Sequence, residues 1–201
     1  MQVTEIIQSS KNKYMCSVCL ADNKILTLHI YYVKKQKISV GSDVDYEKVL
    51  NDAVIPKIKK KAFDFLSKRM YGENELLQKL MDYGFLKDEI LGVIDYCREN
   101  DLLNDEQFAR AFIKDGINLK KWSLRRIRQE LARKRVSENI VSDLLHEFED
   151  ADTDNIKKYV QRYLKDKSDY KQVEKIRASL YRKGYNLGLI NKILGEAEDF
   201  E

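Results

Sequence analysis

Apolar residues recur through most of the chain at the three- and four-residue intervals that place them on one face of a helix. From residue 57 onward the pattern also repeats with a period close to 50 residues, which indicates tandem copies of one structural unit. Four apolar positions define each copy. They are Leu76, Leu80, Phe85 and Ile90 in the first copy, Ile127, Leu131, Val136 and Ile140 in the second, and Ile176, Leu180, Tyr185 and Ile190 in the third.

Each copy divides into three helices, because the breaks in its pattern coincide with helix start and stop signals. Ser123, Ser137 and Asn186 have side chains that favour the N-cap position. The helices are predicted over residues 57–70, 73–83 and 87–100 in the first copy, 105–118, 124–134 and 138–148 in the second, and 154–165, 170–183 and 187–196 in the third.

The second helix of each copy is expected to end in a tight turn. Gly84 and Gly184 follow this helix in the first and third copies, and glycine readily adopts the left-handed backbone of such an end. Arg135 has the matching place in the second copy and suits that conformation less well. Trp122 precedes the second helix of its copy at the spacing of a hydrophobic staple, whereas Lys171 stands at that position in the third copy.

The first 56 residues have a different pattern. Residues 14–20 and 24–30 partly alternate apolar with polar side chains around a turn-forming segment, which predicts a hairpin with residues 3–7 as a third strand. Pro56 favours a helix start. Because a three-helix unit of this size buries only a small core, such units usually pack against neighbours.

The predicted fold is therefore mainly α: a tandem array of three three-helix modules, preceded by a small β-rich N-terminal segment. The predicted divisions are residues 1–56, 57–104, 105–150 and 151–201. Composition agrees with this, since one proline and eight glycines among 201 residues leave few tight turns.

The sequence shows no targeting or membrane segment. No stretch approaches the ~20 apolar residues of a membrane span, and the first residues lack the apolar core of a secretory signal. The three cysteines, Cys16, Cys19 and Cys97, are too few for a disulfide framework, so a reducing cytoplasm is expected. In a strand Cys16 and Cys19 would point to opposite faces, which favours structural thiols over a metal or redox pair.

No pattern of catalytic residues stands out. The chain lacks a glycine-rich phosphate loop, and its carboxylates are scattered through basic helices as ordinary ion-pair partners would be. His29 and His146 are the only histidines, and neither belongs to an evident nucleophilic grouping. We therefore expect no enzyme activity, no catalytic residue, no cofactor and no metal.

Basic residues cluster locally although the formal net charge is only +4. Residues 120–135 carry eight basic residues and one acidic residue, and residues 157–183 carry ten and three, so each segment has a net charge of +7. A basic surface repeated at a fixed period favours a track that neutralises phosphates over a face that only keeps the chain soluble. The candidate DNA- or filament-binding residues are Lys120, Lys121, Arg125, Arg126, Arg128, Arg133, Lys134, Arg135, Lys157, Lys158 and Arg162.

Tyrosine is abundant, with twelve residues. Two groups could stack on nucleic-acid bases, although tyrosines at helical spacing more often lie in the core or at its rim. These groups are Tyr159, Tyr163 and Tyr170, and the pair Tyr31 and Tyr32.

Two segments of the second copy resemble the RecX family of regulatory proteins. They are LLNDEQFARAF at residues 102–112 and KWSLRRIRQEL at residues 121–131. The resemblance extends over about residues 62–194, with Arg135 where the family usually has glycine and a weaker match in the third copy.

This resemblance implies a modular helical regulator that is not itself an enzyme. Such proteins bind the RecA recombinase, chiefly as its filament on single-stranded DNA, and modulate, usually inhibit, its ATPase and strand exchange. The resemblance also implies a role in DNA repair, recombination and the SOS response. The expected partners are the RecA filament, single-stranded DNA and also double-stranded DNA, with no membrane, for a cytoplasmic monomer.

Two other functions remain open from the residues. A helical-repeat DNA-binding protein that acts without a recombinase partner would use the same basic stretches. A nucleic-acid enzyme such as a nuclease would need clustered carboxylates that bind a metal.

Overall fold

The computed structural model describes residues 1–166 and 168–196, together with every side chain in these ranges except that of Glu196. The protein forms two compact units, Met1–Asn104 and a second unit that begins at Asp105. Lys167, which contributes to the second basic stretch, and residues 197–201 lie outside the described residues. The described structure is mainly helical with a small sheet near the N-terminus, as the sequence predicts.

The N-terminal sheet has three antiparallel strands. They are β1 (Val3–Gln8), β2 (Met15–Leu20) and β3 (Ile25–His29), in the order β1-β2-β3. The predicted hairpin and third strand are thus confirmed. Val18 pairs with Leu26 between β2 and β3, and both side chains are fully buried.

The first unit continues with five helices and one π-helical segment. The α-helices are α1 (Ile30–Lys35), α2 (Tyr46–Val49), α3 (Ile55–Leu66), α4 (Glu73–Tyr83) and α5 (Lys87–Glu99). Pro56 lies in the first turn of α3, where its missing N–H costs nothing. The helical backbone nevertheless begins before Pro56, because the π-helical segment Leu50–Val54 runs directly into α3.

The sheet and the first three-helix module share one hydrophobic core. It includes Leu26 and Leu28 from β3 together with Leu76, Leu80 and Ile90 from α4 and α5. The structure therefore groups residues 1–56 with the first module.

Buried Glu89 links the sheet to α5. Its carboxylate accepts the N–H of Thr27 in β3 at 2.6 Å and the N–H of Leu86 at the start of α5 at 3.0 Å. Burial raises the pKa of this carboxyl, although the two N–H groups counteract the rise. The interaction satisfies backbone donors that no strand or helix partner reaches.

This raised pKa predicts a pH-dependent contribution to stability. Above the ordinary value of 4.5 the folded state binds more protons at Glu89 than the unfolded chain does. The free energy of unfolding should therefore fall as pH rises through the folded-state pKa, and Glu89→Gln should flatten that fall. Urea unfolding at a series of pH values, followed by circular dichroism, measures both; an unchanged slope in the variant would contradict the prediction.

Within its described residues, the second unit contains six α-helices with two cores. They are α6 (Asp105–Asp115), α7 (Leu124–Arg133), α8 (Glu138–His146), α9 (Ala151–Tyr163), α10 (Tyr170–Arg182) and α11 (Leu187–Glu196). The first three helices enclose one core, and α9 to α11 enclose another. The predicted helix α6 ends early because residues Gly116–Lys120 form a π-helical segment.

One of the twelve repeat positions is wrong by one residue. Ile140 is only partly buried, whereas Val141 is 1% exposed in the core. The third helix of each module starts two residues after the preceding core residue, so Val141 has the place that Ile90 and Ile190 have in the other modules. The exact spacing of 50 residues between Ile90, Ile140 and Ile190 was misleading, because the other three core positions of the second module lie 51 residues after those of the first module and 49 before those of the third.

The missing staple residue of the third copy, where Lys171 stands, is explained by an earlier helix start. Helix α10 starts at Tyr170 behind the N-cap Asp169, whose carboxylate accepts the N–H groups of Lys171 and Gln172. Ile176 is the seventh residue of α10, whereas the matching residues are the fourth in α4 and α7. Lys171 therefore lies inside the helix, where no staple residue can precede the N-cap.

The same left-handed turn follows the second helix in all three modules. The φ angles are +115° at Gly84, +59° at Arg135 and +95° at Gly184. The backbone conformation is thus repeated even where the side chain disfavours it.

Arg135→Gly should consequently raise the free energy of unfolding by about 1 kcal/mol, because it removes left-handed strain that costs roughly 1–2 kcal/mol. Urea unfolding followed by the fluorescence of Trp122, the only tryptophan, would measure the change. A less stable variant would show that interactions of the Arg135 side chain outweigh the strain.

Candidate functional site

The second and third modules meet at the N-terminus of α7. Ser123 is fully buried there: its N–H donates to the carbonyl of Lys183 at 3.0 Å. Its hydroxyl accepts the N–H of Arg126 at 3.1 Å, which confirms the predicted N-cap. The cap of one module is therefore hydrogen-bonded to the turn after α10 of the next.

Further hydrogen bonds join the two modules. The N–H of Leu124 donates to the carboxylate of Asp152 at 2.9 Å, and the side-chain amide of buried Asn155 donates to the carbonyl of Ile117 at 3.2 Å. Burial raises the pKa of the Asp152 carboxyl. Since these contacts use backbone groups of the second module, they fix its position against α9.

Gly184 lets the two modules approach closely. A Cβ atom at this position would lie 2.7 Å from the hydroxyl of Ser123 and 2.9 Å from the Cβ of Arg126. The guanidinium of Arg126 also donates to the carbonyl of Arg182 at 2.8 Å. Glycine is thus required at residue 184 both for its positive φ and for this contact.

A cavity of about 350 Å³ opens beside this junction. The amine of Lys183 donates to the carbonyl of Lys120, and the buried hydroxyl of Tyr185 donates to the carbonyl of Lys121, each at 3.2 Å. Burial and the nearby Asp152 raise the pKa of Tyr185, so its hydroxyl stays protonated as a donor. The cavity is lined by Lys121, Asn155, Lys158, Tyr159, Arg162, Tyr163, Leu180, Lys183 and Tyr185.

The structure brings three of the eleven candidate residues together in this cavity, namely Lys121, Lys158 and Arg162. The sequence-based list missed Lys183, which completes the basic lining. A signal was available, because Lys183 directly precedes the glycine turn of the third module. Its proximity to Lys121 depends on module packing, which the periodicity does not encode.

Several of the other candidates interact with groups of the protein itself. Arg128 lies 3.6 Å from the carboxylate of Glu138, and Arg133 lies 2.8 Å from that of Glu130. Such exposed pairs contribute little to stability, and they reduce the net positive charge of this face.

Other cations of the basic stretch pack against aromatic rings. The Trp122 ring has Lys120 at 4.2 Å and Arg126 at 4.5 Å, and it packs against Phe112 at a centroid distance of 6.3 Å. Lys134 lies 5.6 Å from the Phe112 ring. Lys120 and Lys134 thus cover the rings of Trp122 and Phe112, which are partly buried at the edge of the second module's core.

Arg125 and Lys157 remain exposed on α7 and α9. Among the residues that the structure describes, neither has a carboxylate partner within 4.0 Å. Arg135 is also exposed, at the turn after α7. Arg125 and Lys157 can therefore reach a phosphate or an acidic protein surface without breaking an ion pair.

The tyrosines differ in their accessibility. The Tyr159 hydroxyl lies 2.8 Å from the hydroxyl of Ser179, which fixes that ring in the third module. Tyr163 is 47% exposed and lies 4.6 Å from Tyr159 between ring centroids. Tyr170 and Tyr31 are more exposed still, on α10 and α1 respectively.

The cysteines of β2 lie in the sheet as free thiols. Cys16 is buried, and its thiol donates to the carbonyl of Leu28 at 3.5 Å; burial raises the pKa of this thiol. Cys19 is half-buried. In the described part of the chain, no three His, Cys, Asp or Glu residues are grouped so that they could bind a metal ion.

None of the described helices is both long and apolar enough to cross a bilayer.

Family models match all three helical modules. The first three-helix domain of RecX matches residues 59–97, the second matches residues 104–145 and the third matches residues 153–194. The chain belongs to the RecX family. The three tandem modules expected from the repeat thus correspond to the three RecX domains.

Relatives and solved structures agree with this assignment. The regulatory protein RecX of Clostridium perfringens strain SM101 is 30% identical, with 96% of this chain and 94% of the relative covered. The RecX protein of Clostridium botulinum strain Alaska E43 is 28% identical, with 100% and 98% covered. The RecX structure from Lactobacillus salivarius is 26% identical with a TM-score of 0.58, over 72% of this chain and 96% of that one.

A second crystal structure of a regulatory protein RecX covers 96% of this chain and 98% of its own, with a TM-score of 0.61 and 18% identity. It supports the fold over almost the whole chain, including the residues before the first RecX domain.

Proposed function

We propose that this protein regulates the RecA recombinase by binding its filament on single-stranded DNA, and that it inhibits the ATPase and strand exchange. The observation that carries the proposal is the match of three successive modules to the three domains of a family of regulatory proteins. The role belongs to DNA repair, recombination and the SOS response, and it places the protein in the cytoplasm.

The repeated modules offer a physical route to filament selectivity. A filament presents equivalent subunits at regular intervals, so several weak contacts can form at once and raise the overall affinity. The exposed residues Arg125 and Lys157 supply positive charge for DNA phosphates or for acidic RecA surface.

RecA ATPase and strand-exchange assays test the proposal directly. Adding the protein at amounts stoichiometric with RecA should lower both rates on single-stranded DNA. Unchanged rates, together with no filament recovered in a pull-down, would exclude the proposed function.

DNA binding without a recombinase partner is the second candidate. It is favoured by the exposed basic residues of α7 and α9 that lack a carboxylate partner among the described residues. This function predicts that the protein lowers RecA activity only by competing for DNA, so that an excess of single-stranded DNA restores the rates. The two candidates are therefore separated by the same assays run with and without that excess of DNA.

A further inference from the structure

The cavity beside the junction of the second and third modules has the composition of a ligand site. Its volume of about 350 Å³ lies within the range of small-molecule sites, about 300–1,000 Å³. Among the described residues, four basic side chains line it and no acidic side chain does. The Asp152 carboxylate, which raises the pKa of the Tyr185 hydroxyl, is not part of the lining.

The basic side chains around the cavity are not neutralised by the protein. Of the residues in the described ranges, no carboxylate lies within 4.0 Å of the charged atoms of Lys121, Lys158, Arg162 or Lys183. Lys183 instead donates to the carbonyl of Lys120, which restrains its amine close to the cavity. Positive charge that is gathered from three segments and left without counter-charge favours an anion.

Aromatic rings lie beside this charge. Tyr159 is restrained through its hydroxyl at Ser179, and the Tyr163 ring contacts it while remaining about half exposed. Arg162, the residue before Tyr163, places its guanidinium carbon 5.4 Å from the centre of that ring. A planar ligand can therefore contact a tyrosine ring while its charged group reaches the cations.

A nucleotide combines these two properties in one molecule. We propose that the cavity binds one nucleotide unit, with its phosphate among the basic side chains and its base stacked on Tyr163. The unit can come from single-stranded DNA or from a free mononucleotide. The choice of DNA rests on the proposed function, whereas the nucleotide chemistry rests on the cavity alone.

Binding of labelled oligothymidylate to the full-length protein, measured without RecA, tests this proposal. Tyr163→Ala should lower the affinity at least about fivefold, because it removes the stacking surface, whereas Tyr163→Phe should retain it. Lys158→Ala and Arg162→Ala should each reduce the slope of log K against log salt, by at most about 0.7 because the cavity holds a single phosphate. Lys175→Ala, on the exposed face of α10, makes the same charge change away from the cavity and should leave the affinity almost unchanged.

Competition identifies the source of the nucleotide. Displacement of the oligomer only at far higher concentrations of thymidine monophosphate would assign the site to a DNA strand, and equal affinities would assign it to free nucleotides. Inorganic phosphate should compete more weakly than thymidine monophosphate, because it lacks a base. An unchanged affinity of Tyr163→Ala, or phosphate competing as well as the nucleotide, would overturn the proposal.

These DNA-binding measurements test the cavity separately from the proposed regulation of RecA. If the cavity variants bind DNA normally while the parent protein still inhibits RecA, only the cavity assignment fails. If the parent protein binds DNA through the cavity but does not affect RecA, only the proposed regulatory function fails.

Discussion

Gly184→Ala should lower the free energy of unfolding of the second unit by about 3 kcal/mol. Left-handed backbone costs roughly 1–2 kcal/mol for a residue with a Cβ, and overpacking typically adds about 1–3 kcal/mol. Both penalties apply, since φ is +95° and the new Cβ would lie 2.7 Å from the hydroxyl of Ser123. Urea unfolding followed by the fluorescence of Trp122, the residue before Ser123, would measure the loss.

Two other glycines provide matched controls for this variant. Gly84→Ala introduces the same left-handed strain, because φ is +115° at residue 84. The new Cβ would lie at an ordinary contact distance of 3.4 Å from the hydroxyl of Ser9, so the free energy of unfolding should fall by only about 1–2 kcal/mol. Gly92 lies in an exposed part of α5 with open space around it, and Gly92→Ala should raise stability by about 0.5–1 kcal/mol. Equal losses for Gly184→Ala and Gly84→Ala would show that the module contact contributes nothing.

Reversing the charge at Arg125 and Arg128 should weaken binding to the RecA filament on single-stranded DNA by about tenfold or more, a loss of at least about 1.4 kcal/mol. Both side chains are exposed on α7, away from the buried Ile127 and Leu131. Each phosphate contact that is lost should also reduce the slope of log K against log salt by about 0.7–0.9. Filament binding at several salt concentrations measures both effects.

The control reverses the charge of two exposed lysines on α1, with Lys34→Glu and Lys35→Glu in one variant. It changes the net charge of the protein by the same amount. If this control weakens binding as much as the α7 variant does, long-range attraction rather than contact at α7 explains the effect. An unchanged salt slope in the α7 variant would remove both arginines from the interface.

The pattern of apolar residues predicted the helices well because a buried face repeats every 3.6 residues whatever the tertiary contacts. Helices α4 and α11 have their predicted bounds, and most others differ by one to three residues. The exchange of Ile140 for Val141 at the core shows the limit of this reasoning. A spacing between copies that differs by one residue leaves the periodicity within each helix intact, while it changes which residue has the inward-facing position.

Features that depend on packing between modules were beyond the sequence. The basic stretches of α7 and α9 were visible, but the cavity forms only where Lys121 and Lys183 are brought together across the junction. Likewise, the sequence predicted that Gly184 ends a helix, but it did not predict that this residue lies in close contact with Ser123. The pairing of Arg128 with Glu138 also depends on how α7 and α8 pack.

Comparing the affinity for assembled RecA filaments with that for free RecA tests the central claim most directly. If repeated modules contact successive subunits, the filament should be bound about 10²–10⁴ times more tightly than the free protein. Equal affinities, measured at the same salt concentration, would contradict binding through several modules at once.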